Sequence, residues 1–166
     1  QVTAVTPLSA STSSQHIENQ QVQVARGLLD SAAENGSLRA ALLDWNETTG
    51  SFVNASDRGY YVQPGDANNT FGRMLDRAFL DRGIAVNVNV LYVTTGGDVR
   101  SRRMVYLGTP SDHAVTVSRP LTLMDDEELR DGSTTLAGSS SYFAPDAGPG
   151  ENVYNVVRVE VVVWRM

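Results

Sequence analysis

The chain has 166 residues and a net charge of −6, and its 13 basic side chains are all arginine. It contains no cysteine, which excludes disulfide bonds, thiolate metal ligands and a thiol nucleophile. The length suits one domain with its own hydrophobic core. The negative charge argues against nucleic acid or an anionic membrane surface as a partner.

The first part of the chain carries the periodicity of a helix. Residues 1–14 are rich in Ser, Thr and Ala, and are expected to form a flexible stalk or a helix lead-in. Thr6-Pro7 is typical of a helix start, although Pro7 could instead kink a longer helix arriving from upstream. A helix is predicted from about Ser13 to Glu34, with a stop at Asn35-Gly36. Its apolar positions are Ile17, Val24, Leu28 and Ala32.

A short second helix and a loop are predicted next. Ser37 would cap a helix that runs through Leu42 and Leu43 to Trp45. Residues 46–70 have the composition of a loop, in which Phe52-Val53 and Tyr60-Tyr61-Val62 would form short strands or apolar plugs.

The third helix is the clearest of the helical patterns. Asn69 or Thr70 would cap it, and Gly83 would end it. Its apolar residues share one helical face and are Phe71, Met74, Leu75, Ala78 and Phe79.

The second half of the chain changes to a period of two, which is typical of strands. Apolar residues alternate from Ile84 to Tyr92, a turn is predicted at Thr95–Asp98, and the returning strand covers Val99 to Leu107.

Two more strands follow. Ala114 to Leu123 alternates, and Pro120 places this strand at an edge or a bulge because proline cannot donate to a ladder. A polar excursion from Met124 to Gly150 separates it from the last strand, Val153 to Trp164. That strand is apolar on one face and partly on the other, as expected of a central strand.

Helices therefore precede strands, which predicts an α+β fold. We expect one globular domain over residues 15–166, with helices over about 15–82 and strands over about 84–166. The N-terminal helices would pack on one face of an antiparallel sheet of about four strands.

Four N-x-[S/T] sequons lie close together, at Asn35, Asn46, Asn54 and Asn68. All fall at predicted helix ends and loops, where an attached oligosaccharide could be solvated. Ordinary turn chemistry also favours Asn, Gly and Ser at such places. We expect at least one of the four to be glycosylated in the native host.

The densest acidic run is Asp125, Asp126, Glu127 and Glu128. Four adjacent carboxylates could bind a cation, but the spacing of a calcium loop is missing. A solvated acidic loop is the preferred interpretation.

Arg100, Arg102 and Arg103 cluster on the returning strand. Alternation places Arg100 and Arg102 on the face of Met104 and Tyr106, and Arg103 on the other. The cluster would either form a docking surface for acidic groups of a neighbouring subunit, such as a run like 125–128, or a solvent face paired with acidic groups of its own domain. The second interpretation is preferred.

No motif in the chain indicates a catalytic chemistry. The only histidines, His16 and His113, are expected to be exposed and inert. G-x-S-x-G, H-E-x-x-H, G-x-G-x-x-G and the phosphate-binding loop pattern do not occur. We therefore predict no catalytic residue, metal or cofactor.

Three segments carry a resemblance to a known family: the opening QVTAVTPLSASTSSQHIENQQ, the block NASDRGYYV with FGRMLDRAFLDRGIAVNVNV, and the ending YNVVRVEVVVWRM. In these the chain resembles an uncharacterised family of haloarchaeal pilin-like secreted proteins. The exclusive use of arginine is also typical of GC-rich, acid-rich organisms such as haloarchaea. The resemblance implies a short class III signal and a hydrophobic helix upstream of Gln1, followed by a head built on an antiparallel sheet.

The expected function follows from this resemblance. The chain would be the extracellular head of a membrane-tethered, pilin-like archaeal protein, acting as a structural or minor subunit of a type IV pilus-like surface assembly. Its partners would be other pilin-like subunits or surface proteins. The alternative is a stand-alone adhesin or carbohydrate-binding module that stacks sugars on Trp45, Tyr60 and Tyr61. A secreted hydrolase is a third class, which would need a cleft that gathers Asp and His side chains.

Overall fold

The computed structural model of the chain describes residues 2–166, with side chains described from Gln15 onwards. The elements follow in the order α1 (Val2–Glu34), α2 (Ser37–Leu42), β1 (Trp45–Asn46), β2 (Ser51–Phe52), a 3₁₀ turn (Pro64–Ala67), α3 (Thr70–Ala78), a 3₁₀ turn (Leu80–Arg82), β3 (Ile84–Val93), β4 (Val99–Val105), β5 (Val115–Met124) and β6 (Val153–Arg165). The helices precede the main sheet along the chain, which confirms the α+β fold.

The main sheet is antiparallel, with its four strands in the order β4-β3-β6-β5. β6 is paired on both sides, as predicted for a central strand, and β5 lies at an edge, as Pro120 indicates. β1 and β2 form a separate two-stranded hairpin. One end of the main sheet holds Ile84 beside Arg165, and the other holds Met124 beside Val153.

Helix α1 has 33 residues, which corresponds to a length of about 50 Å. It begins before Thr6-Pro7, so this dipeptide does not start the helix, and the longer helix that passes through Pro7 is what the structure shows. It ends before Gly36, whose φ of 82° lies in the left-handed region that glycine adopts at little cost.

The buried face of α1 differs from the predicted stripe. Val24 is 45% exposed, because the packed face is rotated by one residue from it. Leu28 and Ala32 are buried as expected. The buried side chains of this helix are Gln21, Ala25, Leu28, Leu29 and Ala32, whose spacing of four, three, one and three residues follows one side of a helix.

The helix caps are partly as predicted. Ser37 is the first residue of α2 rather than its cap, since Gly36 takes the cap position and the Ser37 hydroxyl donates to the Ala32 carbonyl. Asn69 caps α3, and its Oδ1 accepts from the backbone N–H of Gly72 at 2.8 Å. Trp45 lies in β1 and not in α2.

The core lies between the helices and one face of the main sheet. α1 contacts β5, β6, α2 and α3. Valines of β3 and β6 face this core at alternate positions, namely Val86, Val88, Val90, Val157, Val159, Val161 and Val163. A smaller cluster on the opposite sheet face joins Ala85, Val162 and Trp164 beneath Leu107 and Ala114. Among the described residues no helix has the length and apolarity that a membrane crossing requires.

Candidate functional site

All four sequon asparagines are exposed, as the sequence predicts. Asn35 follows α1, and Asn46 belongs to the short strand β1. Asn54 and Asn68 adopt left-handed backbone conformations with φ of 67° and 52°, which asparagine tolerates in turns. A glycan at any of these positions would extend into solvent.

The acidic run is divided between bound and free carboxylates. Glu127 pairs with Arg39 at 2.6 Å and accepts from the backbone N–H of Met124 at 2.9 Å. Asp126 and Glu128 are exposed. The run is therefore only partly the solvated loop that the sequence predicts.

Asp125 is the unusual member of this run. Its Oδ1 is buried and has no hydrogen-bond partner among the described residues. Desolvation raises the pKa of the carboxyl, and the nearby Asp146 and Asp126 raise it further. Within the described residues, no three His, Cys, Asp or Glu side chains come together in a group that could hold a metal ion.

We call residues 125–152, which connect β5 to β6, the acidic loop. Seven of its side chains are acidic and one is an arginine, so its net charge of −6 equals that of the whole chain. The loop is firmly packed, because Leu129 and Leu136 are buried in the core and the Tyr142 hydroxyl donates to the Leu42 carbonyl at 2.7 Å. Arg130 also bonds Asp44, which is buried, at 2.8 Å.

Glu47 is fixed to the acidic loop by a run of serines. Its carboxylate accepts from the hydroxyls of Ser139, Ser140 and Ser141 at 2.5–2.9 Å and from the backbone N–H of Ser140 at 2.7 Å. These bonds, that of Ser139 above all, lower the pKa of Glu47 to about 2 despite some desolvation. The sequence shows both partners but offers no signal that they meet.

Arg102 lies over the aromatic part of the core. Its guanidinium carbon is 5.2 Å from the ring centroid of Trp45 and 6.0 Å from that of Phe52, and Nη2 donates to the Gly59 carbonyl at 3.2 Å. Desolvation lowers the pKa of this side chain. Neutral groups thus hold a partly buried cation.

Arg103 stacks on Tyr106, so the predicted face of Tyr106 is wrong, although the predicted separation of Arg103 from Arg100 and Arg102 is correct. Its guanidinium carbon lies 3.8 Å from the Tyr106 ring centroid. The cause is a register shift: Val88 pairs with Val105 but Asn89 pairs with Arg103, which leaves Met104 as an extra residue in β4. Such a bulge breaks the alternation on which the prediction depended.

The structure adds Arg58 to this cluster, a residue that sequence reasoning did not select. Its Nη1 lies 3.5 Å from the Tyr60 hydroxyl, and Arg103 lies 5.9 Å from the Tyr60 ring. Arg100 continues the same strand and is exposed. We call Arg58, Arg100, Arg102 and Arg103 the basic patch.

The proposed sugar-stacking platform is not present. Trp45 and Tyr61 are each 2% exposed and Tyr60 is 9% exposed, so these rings are apolar plugs. Trp45 packs edge-to-face against Phe52 and Tyr142, and the Tyr61 hydroxyl donates to the Val53 carbonyl. No face of these rings is free for a sugar.

The histidines are exposed, as predicted, and lie at the N-terminal part of the described α1. His113 is 3.2 Å from Glu18. His16 borders an open groove of about 730 Å³ between α1 and the start of β3, with a floor that includes Phe79 and Ile84 and with Arg165 at its rim. None of the described residues that line this groove is Asp or Glu, so it does not join His to a carboxylate.

The chain is thus an α+β protein whose long N-terminal helix and short helices cover one face of an antiparallel sheet, and whose surface bears one basic patch and one acidic loop. It belongs to the family of unknown function DUF7288, which matches residues 1–163. A search of curated proteins and a search of solved structures found no match.

Proposed function

We propose that this chain is the extracellular head of a membrane-tethered, pilin-like archaeal protein. It would act as a structural or minor subunit of a type IV pilus-like surface assembly, in contact with other pilin-like subunits or surface proteins. The proposal assigns it no turnover. The main observation in its support is that the long N-terminal helix α1 packs against strands β5 and β6 of an antiparallel sheet.

The described half of α1 supports a tether. Among its described side chains, Ile17 is half-buried and the buried positions run from Gln21 to Ala32, while Gln15 and His16 are exposed. A helix that packs on the head through this part of its length can join the head to a preceding helix. The proposal requires such a helix, of about 20 apolar residues, upstream of Gln1.

The resemblance to haloarchaeal pilin-like proteins gives independent support. Its three segments now fall on α1, on the chain from Asn54 to Val90, and on β6. These are the long N-terminal helix, a loop with the third helix and its adjoining strand, and the central strand. The resemblance therefore spans the framework of the head and not one local motif.

Glycosylation belongs to the same proposal. A surface protein would meet the oligosaccharide-transferring machinery, and its sequon asparagines are all solvent-exposed. The basic patch and the acidic loop would then be contact surfaces between neighbouring heads or with other surface proteins.

The test is recovery of the chain in surface filaments. The gene segment upstream of Gln1 should encode a short basic leader and about 20 apolar residues. Filaments sheared from native cells should contain the chain by peptide mass spectrometry, and a strain in which the upstream segment is replaced by a cleavable secretory signal should release it into the medium. Recovery of the native chain from the cytoplasm alone would refute the proposal.

A further inference from the structure

The basic patch is a concentration of positive charge on an acidic protein. Arg58 lies beside the hydroxyl of Tyr60, and Arg103 lies over the ring of the same tyrosine. Arg102 donates to the carbonyl of Gly59, the residue between Arg58 and Tyr60. Arg100 is two residues before Arg102 on β4 and therefore on the same side of that strand, about 7 Å away, whereas Arg103 projects from the other side of this edge strand.

These arginines are not neutralised within the molecule. The ion pairs formed by the described residues join Arg39, Arg119, Arg130 and His113 to carboxylates, and include no member of the basic patch. Backbone carbonyls and aromatic rings hold the patch instead. Hydrogen bonds to carbonyls and contacts with rings leave the full positive charge in place.

The acidic loop offers the complementary surface. Its carboxylates outnumber its single arginine by six, and Arg130 is directed away from the loop to Asp44. Asp126 and Glu128 are exposed. Since the loop is anchored through Leu129, Leu136 and Tyr142, its charges are held in place before any partner arrives.

The arginines of the basic patch and the exposed carboxylates of Asp126 and Glu128 lie towards opposite edges of the main sheet, while the later part of the acidic loop returns to Trp45, beside Arg102. β4 carries most of the basic patch, the acidic loop leaves β5, and β3 and β6 lie between them. Two different surfaces on opposite edges of one chain favour a heterologous contact, in which each copy uses one surface towards each neighbour. Such a contact repeats into a ring or an open filament.

We propose that the acidic loop of one copy docks on the basic patch of the next, so that the chain associates with copies of itself in a head-to-tail manner. This deepens the assembly role proposed above, yet it depends only on the charge distribution of the head. Electrostatic contacts of this kind accelerate association and weaken as salt screens them.

Two neutralised variants test the contact in the 166-residue chain by analytical ultracentrifugation. Arg100→Gln with Arg103→Gln removes charge from the patch, and Asp126→Asn with Glu128→Gln removes it from the loop. All four side chains are exposed, so both variants should fold, which circular dichroism checks. We expect the wild type to self-associate at low salt, with a dissociation constant at least tenfold larger in 1 M NaCl.

Each variant alone should remain monomeric at concentrations where the wild type associates. A mixture of the two should form one-to-one complexes and nothing longer, because only one intact basic patch meets one intact acidic loop. The matched controls, Arg26→Gln with Arg77→Gln and Asp81→Asn with Asp112→Asn, also change exposed residues and should associate like the wild type.

Three results would overturn the inference: a wild type that is monomeric at every salt concentration, a wild type whose association the patch and loop variants leave unchanged, or equal loss of association in the matched controls. A monomeric wild type that binds dextran sulfate through Arg100 and Arg103 would identify an extracellular polyanion as the occupant instead. Filaments that incorporate both neutralised variants normally would reject this contact while leaving the proposed assembly role intact.

Discussion

Arg102 and Glu47 show how this protein accommodates charge beside its aromatic core. Arg102 lies over the ring of Trp45, whose Nε1 donates to the Ser141 hydroxyl at 3.1 Å. The same hydroxyl donates to the Glu47 carboxylate at 2.9 Å. A cation and an anion are thus linked through one indole and one serine, without direct contact. Because no opposite charge contacts either group directly, the stabilisation of Arg102 and of Glu47 depends on how the neutral Trp45 and Ser141 side chains are placed.

Replacement of Glu47 by Gln should destabilise the fold by about 1 kcal/mol at pH 7, since several hydrogen bonds to a charged acceptor are lost at a site that water partly screens. The pKa of Glu47 is depressed in the folded state to about 2 from 4.5, so its contribution is complete above about pH 4.5. It is lost as the pH falls towards about 2. Urea unfolding of both proteins across this range measures the difference.

Glu34→Gln provides the control, because Glu34 is an exposed glutamate at the end of α1 and its replacement should change stability little. If the difference between wild type and Glu47→Gln is the same at pH 7 and at pH 2.5, the serines do not stabilise the ionised carboxylate.

Asp125→Asn should act in the opposite direction and raise the Tm at pH 7. The buried Oδ1 has no partner, and Asp146 and Asp126 oppose its ionisation. A pKa raised on folding means that the wild type gains stability as the pH falls from neutral through that pKa, and the advantage of Asn should shrink accordingly. Calorimetry at pH 7 and pH 4 measures this, with Asp112→Asn as an exposed control. A Tm lowered by Asp125→Asn at pH 7 would show that the ionised carboxylate is favourable.

At the scale of the elements, α1 is held by a face that the sequence pattern only partly identifies. Leu29 is 2% exposed and belongs to the core, whereas Val24, which the sequence pattern placed on the packed face, is 45% exposed. Leu29→Ala should therefore cost about 3 kcal/mol through lost burial and a residual cavity. Val24→Ala should change stability by less than about 0.5 kcal/mol. Chemical denaturation compares the two, and similar costs would place the packed face of α1 elsewhere.

Elements that a local pattern defines were predictable. The stripe from Phe71 to Phe79 gave α3, alternation gave β3 and β6, and Pro120 identified an edge strand. Each of these depends on residues within one helix or one strand. The longer start of α1 could not be foreseen from Thr6-Pro7, because the same dipeptide suits a helix start and a kink.

Features that depend on distant contacts were not predictable. The extra residue Met104 in β4 places Tyr106 on the same face as Arg103, and nothing in the local sequence marks it. Glu47 and the serines that hold it are more than 90 residues apart. The sequence therefore identified the charged clusters as candidate surfaces but not the neighbours that hold them.

For the whole molecule, the distribution of charge is more informative than its total. The net charge of −6 resides in the acidic loop, so the remaining residues carry equal numbers of acidic and basic side chains. The basic patch lies mainly on β4, across the main sheet from the point where that loop leaves β5. Such a molecule has a permanent charge asymmetry, which orients it relative to a charged neighbour before contact.

Three of the four sequons, those of Asn35, Asn46 and Asn68, differ in how accessible their Ser or Thr residue is in the folded protein. Thr48 and Thr70, which belong to the sequons of Asn46 and Asn68, are exposed. Ser37, which belongs to that of Asn35, is buried and bonded to the Ala32 carbonyl. A transferase that reads the whole triplet on the folded head should therefore modify Asn46 and Asn68 but not Asn35.

We accordingly expect protein purified from its native host to exceed 17.9 kDa by whole glycan units in intact-mass spectra. Asn46→Gln and Asn68→Gln should each remove one unit, and Asn35→Gln should remove none. Loss of a unit with Asn35→Gln would show that transfer precedes folding, because only then is the Ser37 hydroxyl accessible. An intact mass equal to that of the bare polypeptide would remove glycosylation from the proposed surface role.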